Sequence, residues 1–211
     1  MTRAEAIRWI VSHLTHELVV HANGMICRES FAVQDRAENF YMIGSMGLAS
    51  SIALGVALCR PERKVVIFDG DGNVLMNLGG MAMIGALRPK NLVHIVFDNE
   101  AYGSTGGQAS LSKHLPLQEI ARASGYKWAG RVEDQEALVT TVRKLLDSEG
   151  PSFLLVKVSL HQEEGIPRVS HPPEAIRDRF IAALQGAGGG GSVGSLTRSP
   201  YPTSDLIRLR P

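Results

Sequence analysis

Apolar runs rich in β-branched residues occur at Leu18 to Val20, Val65 to Phe68, Leu92 to Phe97 and Phe153 to Val158, with weaker ones near Tyr41 and Tyr126. Stretches of helical periodicity separate them, at Arg3 to Leu14, Gly47 to Cys59, Val74 to Leu87, Leu117 to Ala123 and Gln135 to Leu146, and another follows Pro173. Near-continuous apolar strands alternating with helices predict an α/β fold, a doubly wound, mainly parallel sheet with helices on both faces. Ligands on such sheets sit beyond the C-terminal ends of the strands.

Residues 39–59 carry no charge and approach the length of a membrane-spanning helix. Three glycines and three serines interrupt the run, and Gly47, Ser51 and Gly55 repeat every fourth residue, as do Ala49, Ala53 and Ala57. That spacing predicts a central helix of a water-soluble domain, with small residues on two faces that admit close backbone neighbours. From Gly186 the chain loses apolar periodicity and six glycines fall within nine residues. Residues 1–185 are therefore expected to form one domain and 186–211 a flexible tail.

With 22 Lys+Arg against 21 Asp+Glu, the 211 residues have no basic field for a polyphosphate chain, so nucleic acid is not an expected partner. Two cysteines, Cys27 and Cys59, in a chain that is 44% hydrophobic suggest reduced thiols and a core that needs no staples. The opening MTRAEAIRWIVSHL reads as an amphipathic helix rather than an export signal or a membrane segment, which leaves the cytoplasm as the expected compartment.

The strand ending at Phe68 runs into Asp69-Gly70-Asp71-Gly72-Asn73, and the next ends in Asp98-Asn99-Glu100-Ala101-Tyr102-Gly103. In a parallel sheet these acids and amides lie along one edge. A carboxylate, an amide oxygen and a main-chain carbonyl are hard ligands that suit Mg²⁺, which usually completes its octahedron with substrate phosphates and water. Two glycine-bearing helix starts, Gly72-Asn73 and Gly44-Ser45-Met46-Gly47, offer main-chain N–H groups to a diphosphate. No spacing of His and Cys suggests zinc.

Gly70-Asp71-Gly72, followed after 25 residues by Asp98-Asn99, resembles the thiamine diphosphate motif that opens with GDG and closes with NN. The closing pair departs from the pattern at its first position, whereas the family's metal ligand is the second. Together with ENFYMIGSMGLASSIALG and DNEAYGSTGGQ, residues 5–180 are similar to thiamine diphosphate-dependent decarboxylases, specifically the sulfopyruvate decarboxylase β subunits and the matching half of phosphonopyruvate decarboxylases. The resemblance implies Asp71, Asn99 and the Ala101 carbonyl as Mg²⁺ ligands, and Gly70, Gly72, Asn73, Ser45 and Tyr102 as cofactor-binding positions. It places Met46 as the bulky residue that bends thiamine diphosphate and the Gly44 carbonyl as acceptor for its amino group, and it adds Asn23 and Gly24 as a contacting loop.

Thiamine chemistry also needs a carboxyl group against the pyrimidine ring. In the family this glutamate comes from a second domain. Glu100 lies between two metal ligands and should point elsewhere, and Glu29 stands in an Arg-Glu pair. A separate α subunit carrying the pyrimidine-binding domain is therefore expected, in a hetero-oligomer acting on a small 2-keto acid. The implied reaction is decarboxylation of 3-sulfopyruvate or 3-phosphonopyruvate to the aldehyde. Carboligation, oxidative decarboxylation and noncatalytic cofactor binding are the alternatives. Ser104, Thr105 and Gln108 are candidate substrate donors, with Arg168 as a source of charge or a surface ion. His94 is expected to be a satisfied core residue, His114 is a weaker substrate candidate, and Tyr41, Tyr102 and Trp128 are expected to serve mainly in packing.

Overall fold

The structure is a computed structural model that describes residues 1–186. The expected flexible tail, apart from Gly186, lies outside the described residues. In chain order the main elements are α1 (Arg3–Val11), β1 (Leu18–His21), α2 (Met25–Val33), β2 (Asn39–Tyr41), α3 (Ala49–Cys59), β3 (Val65–Gly70), α4 (Asp71–Met76), α5 (Leu78–Leu87) and β4 (Leu92–Asp98). A short hairpin, β5 (Ala101–Tyr102) with β6 (Gln108–Ala109), precedes α6 (Leu117–Ser124), β7 (Trp128–Val132), α7 (Gln135–Asp147), β8 (Ser152–Lys157) and α8 (Pro173–Gln185). Six parallel strands form one sheet in the order β2-β1-β3-β4-β8-β7. The doubly wound expectation therefore holds.

The central strands are buried on both faces, which is why β3 and β4 read as continuous apolar runs. Phe68, Phe97, Phe153, Ile67 and Ile95 are among the largest fully buried side chains. Each such residue stabilises the fold by roughly 1.5–3 kcal/mol relative to exposure.

Four local expectations need correction. The helix expected from Gly47 begins at Ala49, because Ser45 and Gly47 take positive φ angles of 56° and 94° and form a loop. Its Ala49, Ala53 and Ala57 face is buried, but Ser51 and Gly55 are exposed, so only one small-residue face is packed within this chain. The helix expected over Val74 to Leu87 is two helices broken at Asn77, and it starts earlier, at Asp71. The weak strand near Tyr126 lies at Trp128–Val132.

The sequence reading also lacks α2. Its buried face mixes Ile26 and Cys27 with Glu29 and Ser30, so apolar periodicity alone does not reveal it. Glu29 receives two hydrogen bonds from the Arg3 guanidinium, at 2.8 and 2.7 Å, and Ser30 meets Nε2 of His21 at 2.8 Å. Among the described residues no helix is long and apolar enough to cross a membrane.

Candidate functional site

Strand order reverses at β1, whose chain continues to β2 on one side and then returns to β3 on the other. Crevices at such reversals collect the loops that follow the strands. Here the loop after β1 carries Asn23 and Gly24, the end of β3 passes directly into α4 at Asp71, and β4 ends at Asp98 and Asn99. One cleft spans all three strand ends.

The cleft is lined by Asn23, Met46, Gly70, Asp71, Gly72, Asn73, Asn99, Ala101, Tyr102 and Ser104, which are ten of the positions singled out in the sequence. Gly24 lines the cavity next to it, with Arg168. Gly44 and Ser45 border a separate apolar pocket with Leu48 and Ile176. Thr105 and Gln108 are exposed and bond each other at 3.0 Å, and neither they nor His114 line the cleft. Of the substrate candidates, the fold brings only Ser104 to it.

Asp71 is almost fully buried at the first position of α4. Ser110 donates its hydroxyl to the Oδ2 atom and the Ser112 oxygen lies 3.2 Å from the same atom, which leaves Oδ1 without a side-chain donor among the described residues. Burial, reinforced by the negative charge of Asp98, pushes the Asp71 carboxyl above the usual range, against the two hydroxyls. Asp98 accepts from Ser112 at 2.7 Å and from Lys157 at 2.9 Å, an ammonium it shares with Glu100. Neither serine is marked by any sequence motif, and the reading along the chain missed both.

Glu100 has a left-handed backbone, φ 59°, and this turn lets Asn99 and Ala101 both line the cleft. Its carboxylate bonds Lys157 at 2.6 Å, in line with the expectation that it points elsewhere. Burial works against the charge on Lys157, but Glu100 and Asp98 together raise its pKa. Glu29 does form an Arg-Glu pair, although its partner is Arg3 across the helix interface rather than the adjacent Arg28. Among the described residues that line the cleft, Asp71 is the only carboxylate.

Two contacts fix the cleft floor. The Tyr102 ring covers Gly72 so closely that a Cβ there would lie 2.5 Å from it, so any larger residue would displace the ring. Asn73 accepts from the main-chain N–H of Gly47 at 2.6 Å and donates to Asp69 at 2.5 Å, so both ends of its side-chain amide are anchored to protein groups. Asp69 also accepts from Nε2 of His94 at 3.0 Å, and the Tyr126 hydroxyl lies 3.1 Å from Nδ1 of the same ring. His94 is thus the satisfied core residue expected, and it braces the strand that carries the site.

Comparison with known proteins agrees with this geometry. Residues 23–156 match the family model described as thiamine pyrophosphate enzyme, C-terminal TPP binding domain. The chain is 40% identical to the sulfopyruvate decarboxylase subunit beta of Methanococcus maripaludis, over 88% of this chain and 98% of that one. It is 38% identical to the phosphonopyruvate decarboxylase of Streptomyces viridochromogenes, over 86% of this chain but only 46% of that one. Among solved structures, benzoylformate decarboxylase from Polynucleobacter necessarius superposes with a TM-score of 0.66 at 18% identity, covering 77% of this chain and 34% of that one, a likeness of fold.

Proposed function

The chain belongs to the thiamine pyrophosphate enzymes, whose C-terminal TPP-binding domain it carries, and on that footing we propose that it is the β subunit of a 2-keto acid decarboxylase. The substrate in this reading is 3-sulfopyruvate or 3-phosphonopyruvate, the acids named in its relatives. Residues 1–185 form its cofactor domain. Thiamine diphosphate, when bound, supplies the electron sink that lets such an acid lose CO₂.

The observation that carries the reading is that Asp71, Asn99 and Ala101, from adjacent strand ends, line one cleft together with Met46. One carboxylate and two amide-type oxygens suit Mg²⁺ and would hold it beside the diphosphate. The Oδ1 of a buried Asp71, which no side chain among the described residues donates to, fits a cation there. The first-turn N–H groups of Gly72 and Asn73 have no intrahelical acceptor and suit phosphate oxygens. Met46 presents a bulky apolar side chain into the same cleft.

A separate α chain completes the site in this reading. The chain spans nearly the whole of the relatives named subunit beta and about half of the phosphonopyruvate decarboxylases it matches. The glutamate that addresses the pyrimidine has no counterpart in the cleft, where Asp71 is committed to the metal. Cys27 and Cys59 are both free, which suits a reducing cytoplasm.

The test is calorimetry and CO₂ release on the complex with its α chain. Uptake of thiamine diphosphate with Mg²⁺, and CO₂ from 3-sulfopyruvate or 3-phosphonopyruvate without an added acceptor, are expected. Asp71→Ala should abolish the Mg²⁺-dependent uptake. A complex that takes up no cofactor, or one that releases no CO₂ from either acid, overturns the proposal.

A further inference from the structure

A second cavity adjoins the cleft and shares Asn23 and Ser104 with it as a common wall. Its other lining residues include Arg28, Arg168 and His171, and none of the described lining residues is an aspartate or glutamate. The contrast with the cavity at the opposite edge of the sheet is informative. There Lys90 and Lys127 share one carboxylate, Glu149, at 3.4 and 3.3 Å, so an acidic group stands in the lining itself.

The cations of the cavity beside the cleft differ in what they are committed to. Arg28, on α2, donates through Nη2 to the Ile166 carbonyl and through Nε to the Pro167 carbonyl at 3.2 Å. His171 bonds Asp35 at 2.8 Å, and Asp35 is also paired with Arg179 at 2.9 Å. Arg168 has no hydrogen bond or ion pair among the described residues, although Arg28 pins the two residues before it. The result is an anchored loop that holds an uncommitted guanidinium against the cavity.

We propose that this cavity is the anion subsite of the enzyme, in which Arg168, assisted by the remaining donors of Arg28 and by the Ser104 hydroxyl, binds the sulfonate or phosphonate at C3 of the substrate. The inference rests on the decarboxylase reading and deepens it. In a 3-substituted pyruvate the tetrahedral anion is separated from the reacting carbonyl carbon by a single methylene. The anion must therefore bind in a space contiguous with the cofactor cleft, and the shared Asn23–Ser104 wall provides one. A guanidinium presents a planar fork to such oxygens, with charge-assisted bonds stronger than neutral ones. The near-neutral chain thus meets a doubly anionic substrate with a local charge rather than a general field.

The experiment compares the α–β complex carrying wild-type β, Arg168→Ala or Arg168→Lys on three acids: 3-sulfopyruvate, 3-phosphonopyruvate and pyruvate. Calorimetric uptake of thiamine diphosphate is measured alongside and is expected to match wild type, since Arg168 does not line the cofactor cleft. For Arg168→Ala the ratio of kcat/KM for the better anionic acid to that for pyruvate should fall roughly ten- to a hundredfold, the worth of bonds to a charged group. The loss should appear in KM, and Arg168→Lys should recover part of it. A loss shared equally by all three acids, or no loss at all, overturns the anion subsite while leaving the decarboxylase intact. Wild-type complex that releases CO₂ from none of them overturns the decarboxylase itself, and the subsite with it.

Discussion

The main-chain N–H of Gly47 donates to Oδ1 of Asn73 over 2.6 Å, and this bond ties the Met46 loop to the turn that carries Asp71. A second bond reinforces it, from the Asn77 side chain to the Gly47 carbonyl at 3.1 Å. Loop and turn are far apart in sequence, so their relative position depends on a few side-chain bonds rather than on the continuous ladder of the sheet.

Asn73→Ala should therefore loosen the site more than the fold. Its removal deprives Gly47 of an acceptor and Asp69 of a donor, at a cost of about 1–3 kcal/mol in a buried setting. Denaturant unfolding should show that loss, while calorimetry on the α–β complex shows weaker uptake of thiamine diphosphate. Asn73→Asp keeps the acceptor for Gly47 but sets a carboxylate against Asp69, and it should be the less stable of the two variants. The reverse order would mean that Asn73 does not link the two segments.

Behind Asp69, His94 and Tyr126 form a buried chain whose members differ in importance. The arrangement that satisfies all three has Nε2–H of His94 donating to Asp69 and Nδ1 accepting from the Tyr126 hydroxyl. Tyr126→Phe removes one neutral bond and should cost about 1 kcal/mol. His94→Leu leaves a fully buried carboxylate without its ring donor, and the loss should reach roughly 1.5–3 kcal/mol. Unfolding free energies of the two variants check the ranking, and equal losses would contradict it.

Acid sensitivity should come in part from His21. Burial lowers its pKa from 6.5 to about 3, because an imidazolium there would be fully enclosed at the end of β1. The unfolded chain takes up this proton near pH 6.5 and the folded one does not. Its contribution to stability is therefore fully present above about pH 6.5 and is lost progressively as pH falls toward about 3. Across that window this single group can contribute a slope of up to about 1.4 kcal/mol per pH unit. His21→Gln should flatten the measured dependence by about one proton between pH 6 and 4. An unchanged slope would show that other groups set the acid limit.

The parallel sheet was legible because β3, β4 and β8 are apolar on both faces, and the candidate metal edge because Asp71 and Asn99 directly follow two of those strands. What escaped was polar. The helix α2 buries Glu29 and Ser30 through partners at Arg3 and His21, contacts that no periodicity encodes. Ser110 and Ser112 reach Asp71 only because the β5–β6 hairpin folds back, a turn set by glycines with φ 133° and 74° at Gly106 and Gly107. The same hairpin pairs Thr105 with Gln108 at its tip, which is why two plausible substrate donors lie away from the cleft. Spacing along a chain identified residues at strand ends, whereas side chains held by long-range bonds became visible only in three dimensions.

Met46 offers the sharpest separation of binding from turnover. It is 37% exposed at the cleft and lies between two left-handed residues, Ser45 at φ 56° and Gly47 at φ 94°. The loop around it is fixed by bonds that do not involve its side chain, from Gly47 to Asn73, from Asn77 to Gly47, and from the Leu48 N–H to the Ser45 carbonyl at 3.2 Å. Met46→Ala should consequently leave the loop in place and keep the proposed Mg²⁺ and diphosphate contacts, so that calorimetry still registers uptake of thiamine diphosphate. What it removes is apolar bulk in the cleft, and a misplaced reacting group costs rate rather than affinity, here on the order of ten- to a hundredfold in kcat. Met46→Leu, which retains the bulk, should recover most of that rate. Wild-type kcat in the alanine variant would show that the side chain has no part in orienting the cofactor, and lost cofactor uptake would show that it acts in binding instead.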